Sequence, residues 1–264
     1  MSIKFKFMPI KLGELLAAIG LLLPCLSLAA QNQFTVLHNF NPSAGEGGGL
    51  WNSVSFDASG NIYGTTSGGG DYGYGTVFQL SPNSDGTWNQ AVVHSFANGD
   101  VDGYDPLSNV IFDSSGNLYA TTQQGGSGHL HGGTVFEMSP GTSGWTLKVL
   151  HNFGSTTTDG GSPKTGVVMD KLGNIYGVAD YVFELTPTST GWQESVLYRF
   201  CSPYNCVGGS GPYAGVILDS SGNLLGLPKA GARIRRASFT KCGTRLAAGR
   251  RACPMPSAVS PPME

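Results

Sequence analysis

Between residues 53 and 96 the chain alternates between four short hydrophobic runs and polar turns. The runs cover about residues 53–57, 61–66, 76–81 and 88–96. They show the two-residue period, or the continuous apolar character, that is typical of β-strands. The segment 31–224 lacks the 3.6-residue period with capping residues that indicates a helix. The pattern predicts four strands, the third of which ends at a proline (Pro82, and Pro140 and Pro187 in later copies).

This four-run pattern recurs along the chain. The Gly-Asn pairs that begin at Gly60, Gly116, Gly173 and Gly222 are 56, 57 and 49 residues apart. The last spacing is shorter because the third copy has lost most of the glycine-rich loop between its second and third runs. Residues 34–40 repeat the end of the fourth run. The periodicity predicts tandem β repeats over 31–224, at about 41–96, 97–153, 154–200 and, in part, 201–224.

Four short antiparallel strands in each unit of about 50 residues are typical of a β-propeller blade. The sequence therefore predicts an all-β fold, a β-propeller-like array of four-stranded antiparallel blades with about three full repeats and a broken fourth. A β-sandwich array is the alternative, although it does not need so regular a period.

A turn with the pattern Asp-x-x-Gly-Asn separates the first two runs of every repeat. An aspartate in such a turn accepts hydrogen bonds from backbone amides, and the glycine supplies a positive φ. Because the same slot is filled four times, we interpret these residues as structural and not as calcium ligands or catalytic acids. They are Asp57, Gly60 and Asn61; Asp113, Gly116 and Asn117; Asp170, Gly173 and Asn174; and Asp219, Gly222 and Asn223.

Other polar residues have weaker patterns. His38, His94 and His151 occupy one slot of successive closing runs, and Tyr198 fills that slot in the fourth closing run, which favours packing over ligation. His129 and His131 share a loop without an acidic or cysteine partner near in sequence, which favours a solvated loop over a metal site. Tyr72 and Tyr74 could stack on sugars or pack at an edge. The sequence contains no recognisable nucleophile elbow, phosphate loop or zinc-spaced set, so it predicts no catalytic residue, metal or cofactor.

Charge divides the chain into three parts. Only 12% of the 264 residues are charged and the net charge is −2, which argues against a nucleic-acid partner. Residues 1–30 carry +2, residues 31–224 carry −11 and residues 225–264 carry +7. Composition shifts of this size mark boundaries.

Residues 1–30 have the features of a secretory signal peptide. Three lysines precede an apolar stretch from Leu15 to Leu28, and small residues at Ala29 and Ala30 suit cleavage before Gln31. The stretch is shorter than the ~20 residues that span a bilayer, so no membrane span is expected after cleavage. The sequence predicts a secreted or cell-surface protein. In such a compartment Cys201 and Cys206 are expected to form a disulfide; a free or metal-linked pair is the alternative.

Residues 225–264 abandon the repeat pattern directly after Leu224 and carry eight basic residues. A shifted reading frame over this segment permits Gly-Thr-Thr and Gly-Val-Val-Tyr at the repeat's own spacing. We interpret the segment as an irregular basic tail that is out of frame; a genuine basic tail for anionic partners is the alternative. Repeat four would then keep only its first strand and part of its second, and one apolar face of repeat three would be uncovered.

The runs Gly-Asn-Leu-Tyr and Gly-Thr-Val-Phe, seen at 60–66 with 75–78 and at 116–122 with 133–136, resemble those of the GloVer tandem-repeat proteins. The resemblance covers about residues 34–224. It implies an exported bacterial protein with a propeller-like repeat array, and it implies no activity. The chain departs from that family in having three full repeats and no recognisable surface anchor.

Two functions follow as hypotheses. The first is a non-enzymatic extracellular or cell-surface β-repeat protein of unknown ligand, a truncated fragment. The alternative is a carbohydrate-binding or carbohydrate-active propeller, either a lectin or a lyase, with a glycan or other surface ligand as partner. A non-repeated cluster of acid, His or Tyr side chains would favour the alternative, and uniform loops would favour the first.

Overall fold

The computed structural model describes residues 34–97, 99–200, 210–212, 214–226, 228–230 and 237–239. The chain divides into a unit Met1–Leu37 and a unit His38–Glu264. In the first unit, residues 34–37 are described and have no regular secondary structure. The predicted signal peptide (1–30) and the predicted disulfide (Cys201 and Cys206) lie outside the described residues.

Three four-stranded antiparallel sheets make up most of the second unit, each with its strands in sequence order. The first contains β1 (Ser55–Phe56), β2 (Ile62–Thr66), β3 (Thr76–Pro82) and β4 (Trp88–Ser95). The second contains β5 (Ile111–Phe112), β6 (Leu118–Thr122), β7 (Thr134–Gly141) and β8 (Gly144–Asn152). The third contains β9 (Val168–Met169), β10 (Ile175–Val178), β11 (Tyr181–Thr188) and β12 (Gly191–Arg199). The predicted all-β, blade-like architecture is confirmed.

Helical structure in the described residues is limited to one 3₁₀ turn, Pro42–Ala44. Asn41 caps this turn by accepting a hydrogen bond from the Ser43 N–H at 3.1 Å. None of the described helices has the length and apolar character needed to cross a membrane.

The prolines that were expected to end the third strands behave in two ways. Pro82 is the last residue of β3, as expected, whereas β7 and β11 continue one residue beyond Pro140 and Pro187. Each proline lies opposite a tryptophan at the hairpin end. Next to Pro82, the Asn83 N–H donates to the Thr87 carbonyl oxygen at 2.8 Å. Because hydrogen-bonded and non-bonded pairs alternate along an antiparallel ladder, the proline occupies a position that needs no N–H donor.

Apolar side chains pack between successive sheets. Phe40 meets Phe78 with ring centroids 4.7 Å apart, Phe96 meets Phe136 at 5.4 Å, and Phe153 meets Phe183 at 5.2 Å, all edge to face. In each pair, the phenylalanine that closes one repeat contacts the third strand of the next. This phenylalanine ladder explains why residues 34–40 repeat a closing run: Phe40 packs in the same way, although no strand forms there.

Hydrogen bonds also join neighbouring repeats. The Thr65 hydroxyl donates to the Ser108 carbonyl oxygen at 2.7 Å, and the Thr121 hydroxyl donates to the Thr165 carbonyl oxygen at 3.1 Å. Since both threonines hold the same slot of their sheets, the contact between repeats recurs with the sequence period.

The fourth repeat forms more structure than the sequence predicted. Its strands are β13 (Ser210–Pro212), β14 (Ile217–Leu218), β15 (Leu224–Gly226), β16 (Pro228–Ala230) and β17 (Ala237–Phe239). β14, β15 and β17 form a three-stranded sheet, and β13 pairs with β16. The expectation that strand structure stops in the second strand is therefore wrong. The free edge of β15 offers unpaired backbone groups that a strand of almost any sequence can bond.

The apolar face of repeat three is covered. Tyr176 and Val182 are fully buried, in one cluster with Val216 and Leu224 of repeat four. Among the described residues, Val216, just before β14, and Leu224 of β15 cover this face, so the expected exposed face is not found there.

Candidate functional site

The four Asp-x-x-Gly-Asn turns share one hydrogen-bond pattern. Asp57 Oδ1 accepts from the N–H groups of Ser59 and Asn61 at 2.8 and 2.9 Å, and Oδ2 accepts from the Asn61 side-chain amide at 2.7 Å. Gly60 has a φ of +83°, in the region that favours glycine. The other three turns repeat these contacts, around Asp113, Asp170 and Asp219.

These contacts change the titration of the turn. Burial raises the pKa of the Asp57 and Asp113 carboxyls, but hydrogen bonds from the following asparagines and turn amides outweigh it and hold both values below the usual one. Burial and the nearby Asp57 charge raise the pKa of Tyr63 to about 12. The Asp57 and Asp113 carboxylates are therefore ionised at neutral pH, and their oxygens already accept hydrogen bonds from within the turn.

A histidine in the closing run that precedes each full repeat forms a pair with an acid eight residues later, inside that repeat. We number each pair by the repeat that contains its acid. His38 Nε2 lies 3.0 Å from Glu46 Oε2, and His94 Nε2 lies 2.9 Å from Asp102 Oδ2. In repeat three the corresponding distance, from His151 Nε2 to Asp159 Oδ1, is 3.7 Å.

The histidine rings also pack, as the sequence predicted. Each lies edge-on to the phenylalanine two residues later, with centroids 4.6 to 5.0 Å apart. The acidic partner was missed. Its signal in the sequence is the recurring spacing His-x7-Glu or His-x7-Asp, at 38–46, 94–102 and 151–159.

Repeat three adds two further side chains to its histidine pair. Tyr181 Oη lies 2.6 Å from Glu194 Oε1 and 3.1 Å from Asp159 Oδ1. His151 Nε2 lies 3.7 Å from both carboxylates. We call His151, Asp159, Tyr181 and Glu194 the third-repeat cluster.

The other candidates remain apart. His131 is exposed, with Nδ1 3.1 Å from the Gly126 carbonyl oxygen and 3.3 Å from Asp100 Oδ1, and His129 is exposed as well. Within the described part of the chain, His151, Asp159 and Glu194 are the one set of three His, Cys, Asp or Glu side chains whose ligand atoms lie within 4.8 Å of one another. The loop histidines do not form such a set. Tyr74 packs edge-on against Tyr104 at 5.6 Å, whereas Tyr72 is 60% exposed.

The three four-stranded sheets share the same strand register and the same turn, and successive repeats pack through the phenylalanine ladder. These features define a tandem β-repeat protein. Comparison with known families agrees: the chain belongs to the Gloeobacter/Verrucomicrobia repeat family, which matches residues 26–237. The match extends past Leu224, through the backbone of β16 to the start of β17. None of the curated proteins matches the chain.

Proposed function

We propose that this chain is an exported, non-enzymatic β-repeat protein of the cell surface or extracellular space, with its sheets arranged as propeller blades. The main support is that the recurring carboxylates accept hydrogen bonds from groups of their own turns. All four aspartates accept hydrogen bonds from a backbone N–H and a side-chain amide of the same turn. A group so occupied is poorly placed to act on a substrate.

Export is supported by the basic and apolar segments of residues 1–30. It is tested by producing the full chain in a bacterial host and analysing the cell fractions and the mature N-terminus. We expect a product outside the cytoplasm that begins at Gln31. The matched control is Leu21→Arg, which interrupts the apolar segment and should keep the chain in the cytoplasm. A full-length, uncleaved wild-type chain in the cytoplasm would contradict the proposal.

A carbohydrate-binding or carbohydrate-active protein is the second candidate, and two observations favour it. The third-repeat cluster is not repeated, which is the feature expected of this alternative. In addition, Trp51 and Tyr72 are 73% and 60% exposed, and exposed aromatic rings offer apolar faces edged by polar groups.

The second candidate is tested by probing a glycan array with the mature chain. Tyr72→Ala should abolish any specific signal if the exposed rings stack on sugars. Leu172→Ala is the control, because Leu172 is 79% exposed but is not aromatic. The absence of any glycan signal from the wild-type chain would reject this candidate and leave the first one untouched.

A further inference from the structure

The third repeat departs from its neighbours at two slots that meet in space. Opposite the equivalent residues Leu80, Met138 and Leu185, the fourth strands carry Gln90, Leu147 and Glu194 respectively. At the start of the third strand, Thr76 and Thr134 correspond to Tyr181. Thus repeat three alone among the full repeats adds a carboxylate and a phenol beside its histidine pair.

The shortened loop of repeat three accommodates the phenol. In repeat one, Thr66 and Thr76 bond to each other through their hydroxyls at 2.8 Å, across a nine-residue loop. In repeat three, Ala179 and Tyr181 hold these slots with Asp180 alone between them. A Cβ atom at Gly160 would collide with the Tyr181 ring, so the glycine beside Asp159 leaves the space that the ring fills.

The cluster has more acceptors than donors. The Tyr181 hydroxyl lies within hydrogen-bond distance of two carboxylates, yet it has one proton to donate. The Arg199 guanidinium carbon lies 4.7 Å from the Tyr181 ring centroid. Two carboxylate groups therefore lie beside a single phenol hydrogen.

One nitrogen of His151 lies near both carboxylates and makes no hydrogen bond. Among the described residues, buried His151 Nε2 has no hydrogen-bond partner, because 3.7 Å to each carboxylate is too long for a hydrogen bond. In the pairs of repeats one and two, the histidine Nε2 lies within hydrogen-bond distance of the carboxylate, at 3.0 and 2.9 Å. Metal–ligand bonds of about 2.0–2.2 Å in a tetrahedral site place neighbouring ligand atoms roughly 3.3–3.6 Å apart. The 3.7 Å distances from His151 Nε2 are close to this spacing, whereas 3.0 and 2.9 Å are hydrogen-bond distances.

We propose that His151 Nε2, Asp159 Oδ1 and Glu194 Oε1 form a binding site for one divalent transition-metal ion, with Zn²⁺ as the fitting probe. One imidazole nitrogen and two carboxylate oxygens are a donor set that zinc accepts. The three side chains are 18%, 13% and 17% exposed, so the cluster lies close to the surface. The site does not depend on export or on a glycan ligand.

Surrounding groups orient the ligands. The Ser155 N–H donates to Asp159 Oδ2 at 2.7 Å, which leaves Oδ1 directed at the cluster. Tyr181 is a positioning residue that holds Asp159 Oδ1 and Glu194 Oε1 on one side of the histidine. Such outer contacts fix the orientation of metal ligands and raise their affinity.

The test is calorimetric titration of the tag-free mature chain with Zn²⁺, together with thermal unfolding with and without the ion. We expect one Zn²⁺ per chain with micromolar or tighter affinity, and a higher unfolding temperature when zinc is present. Glu194→Gln and Glu194→Leu place in this slot the residues that repeats one and two carry there, and each should weaken zinc binding about tenfold or more. Glu194→Gln keeps the size of the side chain, so it remains informative if Glu194→Leu does not fold.

Two controls separate this site from others. Glu46→Gln alters the hydrogen-bonded pair of repeat one and should leave zinc binding unchanged. Replacing every cysteine by serine should also leave it unchanged, because the proposed ligands contain no sulfur. The proposal is overturned if wild-type chain binds no Zn²⁺, if both Glu194 variants bind it as wild type does, or if binding is lost with the cysteines.

Discussion

At the scale of single residues, the same short-range contacts hold each turn. The aspartate receives its hydrogen bonds from residues two and four positions later, and the glycine between them adopts a positive φ. Such contacts depend on neighbours in sequence and not on distant packing. This is why the turn geometry could be predicted from Asp-x-x-Gly-Asn.

Gly116→Ala should lower the free energy of unfolding by roughly 1 kcal/mol. Gly116 has a φ of +84°, and no atom lies within 4 Å of the place that an added methyl group would take, so the expected cost comes from the backbone conformation alone. Gly99→Ala is the matched control, because a Cβ there meets nothing closer than 3.8 Å and its φ is not in the left-handed region. Denaturant unfolding of the two variants checks this; equal stabilities would refute the structural role of the turn glycine.

At the scale of elements, the hairpins set the strand register within each sheet, and the phenylalanine ladder connects neighbouring repeats. Hairpin register repeats from sheet to sheet, with a bulge at the same Val-Phe step of β3, β7 and β11. The ladder joins the end of one repeat to the third strand of the next. Sequence periodicity located the strands, but it did not show that Phe96 and Phe136 would meet, because they belong to different repeats.

Phe96→Ala should destabilise the chain by about 3–5 kcal/mol. Phe96 is fully buried and contacts both His94 and Phe136, so truncation leaves a cavity between two sheets. Phe56→Ala is the control, since Phe56 is 63% exposed and its truncation should cost about 0.5 kcal/mol or less. If thermal and chemical unfolding show similar losses for the two variants, the ladder does not stabilise the repeat contact.

At the scale of the whole molecule, each described sheet covers its neighbour, and the fourth is the weakest. β17 has three residues, against seven or eight in β3, β7 and β11. Fewer backbone pairs therefore hold the third strand of repeat four. The backbone of β17 adds a strand to this sheet, although the sequence of β17 lacks the repeat pattern.

Restoring one base after codon 224 should open a frame that continues with Gly-Thr-Thr and Gly-Val-Val-Tyr. We expect this chain to unfold at a higher temperature than the present one, by about 2–4 °C for each kcal/mol gained, and to aggregate less. Sequencing the locus and comparing the two chains by thermal unfolding checks both points. A restored frame that stops at once, or that carries no repeat, would leave the basic tail as the genuine sequence.

By itself, the sequence determined the all-β class, the repeat period, the strand positions and the turns. These features follow from hydrophobic periodicity and from contacts within about five residues. The tertiary structure decided which distant side chains meet: the phenylalanine pairs, the histidine–acid pairs and, above all, the third-repeat cluster. His151, Asp159, Tyr181 and Glu194 are up to 43 residues apart in sequence, and only the stacking of one sheet on the next brings the end of β8 against β11 and β12. Local patterns do not encode such a meeting point, because it depends on how whole sheets pack.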